Sequence, residues 1–311
     1  MTYTSVQTRT AFSRLKFFLA LSRTPHALLD LAAPALSALL WLGSFPAWEI
    51  VGLGLLTAFS GYMSVYALND LVDYGGDLEK IRRRPPQRLG SDVDSFLPLH
   101  PIAKGTLSRR EGWIWMAGWG LLALLGSYLL NPMCTVIFFI ACLLEIAYCR
   151  LLKITYLRGA LSGVVKNSGG VAAVFAVDPH PSPFFLIVLF VWFFFWEIGG
   201  QNIPNDWMDL EEDRELQART LPVRFGPNGS LWMIILSLSL ATAMSLVISF
   251  FSPARLNWIY PFGAALAALY AFFIPALRVW RTMAPPDLSL LFTRASCYPL
   301  LMLTVVCISW I

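Results

Sequence analysis

Long apolar stretches alternate with short polar segments along the whole chain. Nine of them reach the roughly 20 residues that an α-helix needs to cross a bilayer. Within each stretch the apolar residues are continuous and do not alternate with polar ones, which favours helices over a membrane barrel. The stretches lie near residues 25–45, 48–68, 112–130, 133–152, 157–177, 183–203, 230–252, 256–277 and 288–310.

The composition supports a membrane location. Hydrophobic residues make up 57% of the 311 residues and charged residues only 14%, with a mean hydropathy of +0.62. Soluble globular proteins usually carry about 25% charged residues. All five cysteines lie within apolar stretches, without a C-x-x-C pair, so they are interpreted as small buried hydrophobic residues.

Lys and Arg residues predict the orientation. With nine spans, the N-terminus shares its side with the segments after spans two, four, six and eight, and nearly all cations fall on that side. The opposite side carries only Arg255. The positive-inside rule therefore predicts a multi-pass protein of the cell membrane with a cytoplasmic N-terminus. Because the formal charge of +4 mostly reflects this topology, no nucleic-acid partner is predicted.

The polar segments divide the chain unevenly. Residues 1–24 mix cations with apolar residues and are interpreted as an interfacial amphipathic segment. Residues 25–311 are predicted to be one transmembrane domain, whose cytoplasmic side carries two long polar segments at 69–110 and 204–229. The predicted fold class is all-α integral membrane, with nine transmembrane helices around a central cavity and a cytoplasmic helical cap.

An acidic signature occurs once in each of these polar segments. It reads Asn69-Asp70-x-x-Asp73-x-x-x-Asp77 and then Asn205-Asp206-x-x-Asp209-x-x-x-Asp213. On one helix, positions i, i+3 and i+7 share a face, so each copy is expected to present a row of carboxylates. Two facing rows would place about six negative charges together, which is unfavourable unless a cation lies between them.

Mg²⁺ is the cofactor that this pattern predicts, because it binds through a few carboxylates together with substrate phosphate. The repeat also suggests an internal duplication, with chance similarity of the outer residues as the alternative. Cations near the motifs are candidates for contacting phosphate, although contact with lipid headgroups is the more common role of such residues. Lys153, Arg150 and Arg224 are preferred because each is close to a span edge or a motif.

Polar residues inside the spans are further candidates. Lys166 lies roughly 15 Å below the interface at about 1.5 Å per residue, and intramembrane charges usually have a function. Its role is either acceptor binding or a neutralising pair with Glu197 or Asp30. His26 and Asp30 are four residues apart and therefore share a helix face. The aromatic run at 192–196 either lines a prenyl tunnel by cation–π contact or packs the bundle.

The chain resembles the UbiA superfamily of intramembrane prenyltransferases. The resemblance rests on the first acidic motif, on Asp209-Leu210-Glu211-Glu212-Asp213, and on the segment from Thr220 to Gly226. It is extended by Tyr148, Lys153, Arg23 with Pro25, and Pro101 with Gly105. It covers essentially the whole chain.

The resemblance implies Mg²⁺-dependent transfer of a prenyl group from a polyprenyl diphosphate to a membrane-accessible, usually aromatic acceptor such as a quinone precursor. By this likeness Asn69 and Lys153 contact phosphate, and Tyr148 stands near the pocket. The candidates are metal-binding and catalytic Asp70, Asp73, Asp77, Asp209 and Asp213, catalytic Lys153 and Tyr148, and substrate-binding Asn69, Asn205, Asp206, Arg150, Arg224, Lys166, Glu197 and Arg23.

Some features depart from the family pattern. The segment between Asp77 and Pro101 is long, and His100 stands where an Arg usually precedes that proline. Asp206 is either a ligand or a helix N-cap. The alternative function is a transporter or divalent-cation carrier that uses the Asp rows as gates, but an odd number of spans and motifs on the same side fit it poorly.

Overall fold

The computed structural model describes residues 11–83 and 94–310, with side chains from residue 14 onward. The described secondary structure is entirely helical. In chain order the α-helices are α1 (Ala11–Leu21), α2 (Thr24–Asp30), α3 (Ala32–Leu42), α4 (Trp48–Val72), α5 (Tyr74–Arg83), α6 (Arg109–Leu130), α7 (Pro132–Arg150), α8 (Arg158–Val177), α9 (Pro183–Glu197), α10 (Ile203–Met208), α11 (Leu210–Glu215), α12 (Leu221–Val247), α13 (Ile259–Ala268), α14 (Ile274–Thr282), α15 (Pro285–Ser296) and α16 (Tyr298–Ser309).

Nine helical segments of the described chain are long and apolar enough to cross a membrane, which confirms the predicted spans. Several of them consist of two consecutive helices. They are Thr24–Leu42, Trp48–Val72, Arg109–Leu130, Pro132–Arg150, Arg158–Val177, Pro183–Met208, Leu221–Phe250, Ile259–Thr282 and Pro285–Ser309.

Prolines account for the breaks inside four spans. A proline cannot donate to the carbonyl four residues earlier, so the helix bends or widens there. Pro34 follows the break between α2 and α3, and Pro299 follows the break between α15 and α16. Pro204 and Pro275 each follow a π turn, at Ile198–Asn202 and Leu269–Phe273. The first π turn faces the cavity described below.

The largest apolar core lies among α3 and the last four spans, of which the sixth contains α9. It contains Trp192, Phe193 and Trp196, all fully buried. The five aromatic residues at 192–196 lie outside the described lining of the cavity. The tunnel-lining interpretation of this run is therefore wrong, and the packing alternative holds.

Helical segments cover the end of the bundle that carries both acidic motifs, which we call the motif side. α5 and α11 are joined there by Arg83, whose guanidinium donates to the Glu215 carbonyl at 2.8 Å. α1 packs on the same side through Phe17 and Phe18 against a small core that includes Leu71. The predicted helical cap is thus present, while the position of residues 1–24 at a membrane interface stays a prediction.

Candidate functional site

A cavity of about 660 Å³ runs through the bundle from the motif side. Its walls come mainly from α3, α4, α7 and α8, with α6 and the Ile198–Asn202 π turn completing them. The lining extends from Ile50 on α4 to Asp73, directly after the end of that helix, which is about 35 Å at 1.5 Å per residue. Away from the motif side the lining is largely apolar. One cavity therefore has a polar end and a long apolar arm.

Both acidic motifs adopt the same local backbone geometry. α4 ends at Val72 and α5 begins at Tyr74, with Asp73 between them at φ −86° and ψ 5°. Asp209 stands between α10 and α11 at φ −91° and ψ 11°. The expectation of an unbroken helix through each motif is therefore wrong, because each helix bends at its middle aspartate. Since both copies bend alike, the repeat in sequence is also a repeat in structure.

The bends bring the two acidic rows to the same end of the cavity. Every predicted metal ligand is part of the cavity lining, as are the polar residues at the start of each motif. These residues are Asn69, Asp70, Asp73, Asp77, Asn205, Asp206, Asp209 and Asp213.

His100 bridges the outer acids of the first motif. Its Nδ1 lies 2.7 Å from Asp77 Oδ2 and 3.5 Å from Asp70 Oδ1. Burial alone would lower the pKa of His100, but hydrogen bonds with Asp70 and Asp77 raise it to about 9. The ligand atoms of these three residues all lie within 4.8 Å of one another, a spacing that one metal ion can span.

Lys80 links the first motif to the second. Its ammonium lies 3.7 Å from Asp209 Oδ2 and 3.9 Å from Asp213 Oδ1. Burial disfavours the charge, yet Asp209 and Asp213, followed by Asp77 and Asp73, raise the Lys80 pKa above its usual range. A side chain carried by the first motif's helix thus neutralises the second motif.

The chemistry of the donor set fits a divalent cation. Asp70 Oδ2 is buried and has no hydrogen-bond partner within residues 11–83 and 94–310. Burial, together with the Asp77 charge, raises the pKa of Asp73 to about 6. Burial also raises the pKa of Asp213 to about 7, and Asp206 and Asp209 add to it. Buried carboxylates with raised pKa values are stabilised by a metal, which favours their ionised form.

Gly76 allows the Asp73 carboxylate to sit close to the backbone. A Cβ at position 76 would lie 2.7 Å from Asp73 Oδ1, so any other residue would push that carboxylate aside. The sequence places Gly76 directly before Asp77, but no sequence pattern indicates that the Asp73 carboxylate packs against this position.

Asp206 pairs with a buried arginine and is not a helix N-cap. It lies inside α10, where its Oδ1 accepts a hydrogen bond from Arg158 at 2.9 Å. The guanidinium of Arg158 also lies over the Tyr148 ring, 4.4 Å from its centroid. Arg158 and Tyr148 both line the cavity beside the second motif. Arg158 is therefore better placed to contact a phosphate than Arg150 and Arg224, the exposed arginines that were preferred from sequence.

Three predicted residues lie outside the described lining of the cavity. Lys153 instead donates to Glu79 Oε2 at 3.0 Å on the surface. Arg150, at the end of α7, and Arg224, on the first turn of α12, are exposed. These three cations lie at the surface, and the structure does not bring them to the acidic cluster. Their predicted roles stay untested.

The polar residues inside the membrane form a second group along the cavity. Lys166 donates to Asp30 Oδ2 at 2.7 Å and to the Tyr66 hydroxyl at 2.8 Å. The structure therefore agrees with the interpretation that Lys166 and Asp30 form a neutralising pair. His26 Nε2 lies 3.8 Å from Asp30 Oδ1, as their spacing predicts. Arg23 also lines the cavity, with an exposed side chain.

Two further polar contacts complete the site. Asn69 Nδ2 donates to Glu145 Oε1, which orients the first residue of the first motif. Glu197 Oε1 accepts a hydrogen bond from Ser162 at 2.7 Å. Glu145 and Glu197 both line the cavity and are buried. Both glutamates were visible in the sequence as rare acids within apolar stretches.

Comparison with known proteins assigns the family. The UbiA prenyltransferase family matches residues 31–296. The chain belongs to this family. A further relative is the mitochondrial 4-hydroxybenzoate polyprenyltransferase of Arabidopsis thaliana, 29% identical over 233 residues, or 73% of this chain. The chain spans about half the length of that relative, since 55% of the relative is covered.

Solved structures share the fold of this UbiA family member. The apo UbiA homologue of Aeropyrum pernix K1 matches with a TM-score of 0.71 at 17% identity, over 92% of this chain and 98% of the homologue. The homologue of Archaeoglobus fulgidus bound to DMAPP and Mg²⁺ matches with a TM-score of 0.66 at 17% identity, over 94% of this chain and 99% of the homologue. The chain is thus an integral, multi-pass membrane protein of this fold.

Proposed function

We propose that the protein transfers a prenyl group from a polyprenyl diphosphate to an aromatic acceptor, such as a quinone precursor, with Mg²⁺ as cofactor. The observation that carries the proposal is the position of both acidic motifs at one end of a cavity whose other walls are largely apolar. A diphosphate bound at the acidic end would leave its hydrocarbon chain in the apolar arm.

The acidic residues would hold the cofactor. Mg²⁺, when bound, neutralises the charge of a departing diphosphate. The residues that would hold it are Asp70, Asp73, Asp77, Asp209 and Asp213, all in the cavity lining. His100, Lys80 and Arg158 place further positive charge among these acids, where they favour binding and departure of the diphosphate.

The reaction breaks the allylic carbon–oxygen bond, and its electron pair leaves with the diphosphate. A ring carbon of the acceptor then supplies the electron pair of the new carbon–carbon bond, and that carbon loses its proton to a nearby base. Tyr62, Tyr66 and Tyr148 line the cavity, where their rings can stabilise the positive charge on the allylic fragment. The apolar walls keep water away from that fragment.

Relatives support the choice of substrates. The Archaeoglobus fulgidus homologue has been solved with DMAPP and with GPP, each together with Mg²⁺. The Arabidopsis thaliana relative is named for 4-hydroxybenzoate, a hydroxylated aromatic acid. The excess of Lys and Arg on the motif side supports a cytoplasmic site.

The direct test uses purified protein in nanodiscs with Mg²⁺, labelled geranylgeranyl diphosphate and an aromatic acceptor. The wild type should release pyrophosphate and form a prenylated ring. Asp73→Ala should lower the rate by about 100-fold or more, because the charge of the leaving group is no longer neutralised. Glu49→Gln is the control, since Glu49 is exposed at the far end of α4, outside the described lining.

The alternative function predicts a different pattern. A divalent-cation carrier would show cation flux into vesicles that Asp73→Ala abolishes. Absence of prenyl transfer by the wild type, together with a cation flux that Asp73→Ala abolishes, would contradict the proposed function and support the carrier.

A further inference from the structure

Arg294 lies inside the ninth span without an acidic partner. The span begins at Pro285, so Arg294 is about 14 Å along the helix from that end. α15, which carries Arg294, packs against α10 of the second motif, so this depth is measured from the motif side. Within residues 11–83 and 94–310 no carboxylate lies within 4 Å of its guanidinium. A charge at such a depth is costly and usually has a function.

Arg294 faces away from the cavity. The opposite side of α15 is packed into the bundle, and Phe292 on that side lines the cavity. At 3.6 residues per turn, Arg294 lies roughly 140° from the centre of the buried side. Its side chain is therefore on the outer surface of the bundle. The buried side consists of Leu288, Ser289, Leu291, Ala295 and Ser296.

The ring of Tyr270 holds the guanidinium of Arg294 at this depth. The two groups are 4.6 Å apart, measured from Cζ to the ring centroid. Tyr270 lies on the π turn Leu269–Phe273 and is 49% exposed. The eighth span ends at Thr282, about 18 Å further along the helix. The ring attracts the cation through its face but accepts no N–H hydrogen bond in the guanidinium plane, so these donors stay open for a ligand.

The neighbouring surface of span eight combines apolar and basic residues. Ile274, Leu277 and Arg281 follow Tyr270 by 4, 7 and 11 residues, a spacing that keeps them on one helix face. Ile274 and Leu277 are 39% and 43% exposed. Arg281 is also exposed, as is Arg278 three residues before it. We call Tyr270, Arg278, Arg281 and Arg294 the outer basic surface.

The acid of α15 does not neutralise this surface. Asp287 lies seven residues before Arg294, or about 10 Å along the helix. Its Oδ2 accepts a hydrogen bond from the Thr282 hydroxyl at 2.6 Å, which ties it to the turn between the two spans. The outer basic surface thus carries three arginines beside apolar side chains that face lipid.

These features fit the phosphate of an anionic phospholipid. A guanidinium matches a phosphate through two parallel hydrogen bonds, and burial in lipid strengthens their attraction. The acyl chains of the same molecule would cover Ile274 and Leu277, which a water-soluble anion cannot do. Basic pockets between membrane helices on the side rich in Lys and Arg are typical sites for such headgroups.

We infer that the outer basic surface binds an anionic phospholipid, whose phosphate contacts Arg294. Arg278 and Arg281 add positive charge nearer the motif-side end of span eight. The site lies outside the cavity, and its occupation does not depend on prenyl transfer.

The test measures lipid binding by native mass spectrometry. Delipidated protein in detergent is titrated with phosphatidylglycerol, which is anionic, and with phosphatidylcholine, whose phosphate is balanced by choline. The wild type should bind phosphatidylglycerol about tenfold or more tightly than phosphatidylcholine. Arg294→Met should raise the Kd of phosphatidylglycerol by about tenfold or more, as expected for loss of hydrogen bonds to a charged group, and leave that of phosphatidylcholine unchanged.

Two controls isolate the site. Arg110→Met removes an exposed arginine from the first turn of α6, and should change the Kd of phosphatidylglycerol by less than about twofold. Glycerol phosphate, the headgroup without acyl chains, should not displace phosphatidylglycerol. If Arg294→Met does not fold, Arg294→Lys keeps the charge but not the paired contact, and should raise the Kd by about threefold or more.

Several results would overturn the inference. One is equal affinity of the wild type for both lipids. A second is an unchanged Kd in Arg294→Met, or an equal loss in Arg294→Met and Arg110→Met, which would mean general attraction to the basic side. A third is loss of a dimer in Arg294→Met with lipid binding intact, which would assign a carboxylate of a second copy to Arg294. None of these results bears on the proposed function, which the pyrophosphate assay tests separately.

Discussion

At the scale of single residues, the site depends on how acids and cations are interleaved. Six aspartates of the two motifs line one end of the cavity, together with His100 and Lys80. His100 contacts the first motif and Lys80 the second. Each cation reduces the repulsion between neighbouring carboxylates, which would otherwise favour their protonation. The arrangement therefore combines high negative charge with a stable fold.

Lys80 gives a residue-scale prediction. Lys80→Met removes the ammonium beside Asp209 and Asp213, so those acids repel each other. Without divalent cations we expect the melting temperature to fall by about 2–4 °C. Adding Mg²⁺ should raise it more in the variant than in the wild type, because the metal replaces the missing charge. Differential scanning fluorimetry in detergent measures both values.

The matched control is Lys104→Met. Lys104 is exposed and lies outside the described lining of the cavity. Its loss should change neither the melting temperature nor the response to Mg²⁺. An equal response to Mg²⁺ in the two variants would mean that Lys80 does not balance the charge of the motifs.

At the scale of helices, much of the fold follows from the hydrophobic pattern. All nine spans were predictable, because roughly 20 apolar residues must be buried in lipid whatever their neighbours. Helix ends were less predictable. The seventh span begins at Leu221, well before the predicted start near 230, because a bend at Gly226 and Pro227 joins one more helical turn, residues 221–225, to it. Glycine and proline are unfavourable inside a helix, so the sequence pattern does not predict this extension.

The candidate site was predictable where the motif itself supplies the residues. The six aspartates of the two motifs were found because their spacing repeats. Arg158 was not preferred among the cations near the motifs, and Gln201 is a polar residue within a span to which the sequence alone assigns no role, because neither spacing nor charge separates them from ordinary residues at such positions. Lys153 was favoured from sequence, yet its ammonium pairs with Glu79 at the surface. The packing of helix ends and turns on the motif side decides which cation lines the cavity. Local sequence patterns do not predict that packing.

The cavity-facing side of α4 gives an element-scale prediction. Gly54 lines the apolar arm, and a Cβ there would meet nothing within 4 Å. Gly54→Phe should therefore fill the arm without straining the bundle. Transfer from geranyl diphosphate should stay near the wild-type rate, whereas geranylgeranyl and longer diphosphates should lose about tenfold or more, since overpacking is costly. Product analysis with donors of increasing length measures the cut-off.

Gly52→Phe is the control on the same helix. Gly52 also has open space around it, but it lies outside the described lining and is exposed on the surface of the bundle. It should leave the preference for chain length unchanged. If Gly54→Phe accepts long diphosphates as well as Gly52→Phe does, the prenyl chain does not lie in the apolar arm.

At the scale of the whole molecule, the helix bundle brings the two acidic motifs together at one cavity. The first motif follows the second span and the second motif follows the sixth, so helices distant in sequence must pack together to bring the acids to one cavity. The apolar arm then extends from that acidic end through the bundle. The central claim is that both motifs bind the same diphosphate together with Mg²⁺.

The most direct test is a double-mutant cycle on ligand affinity. Calorimetry would measure binding of a non-cleavable thiolo analogue of geranylgeranyl diphosphate with Mg²⁺ to the wild type, Asp73→Ala, Asp209→Ala and the double variant. We expect each single variant to lose most of the affinity and the double variant to lose little more, because both aspartates serve one ligand. Unchanged affinity in Asp209→Ala, or strictly additive losses, would contradict a shared site.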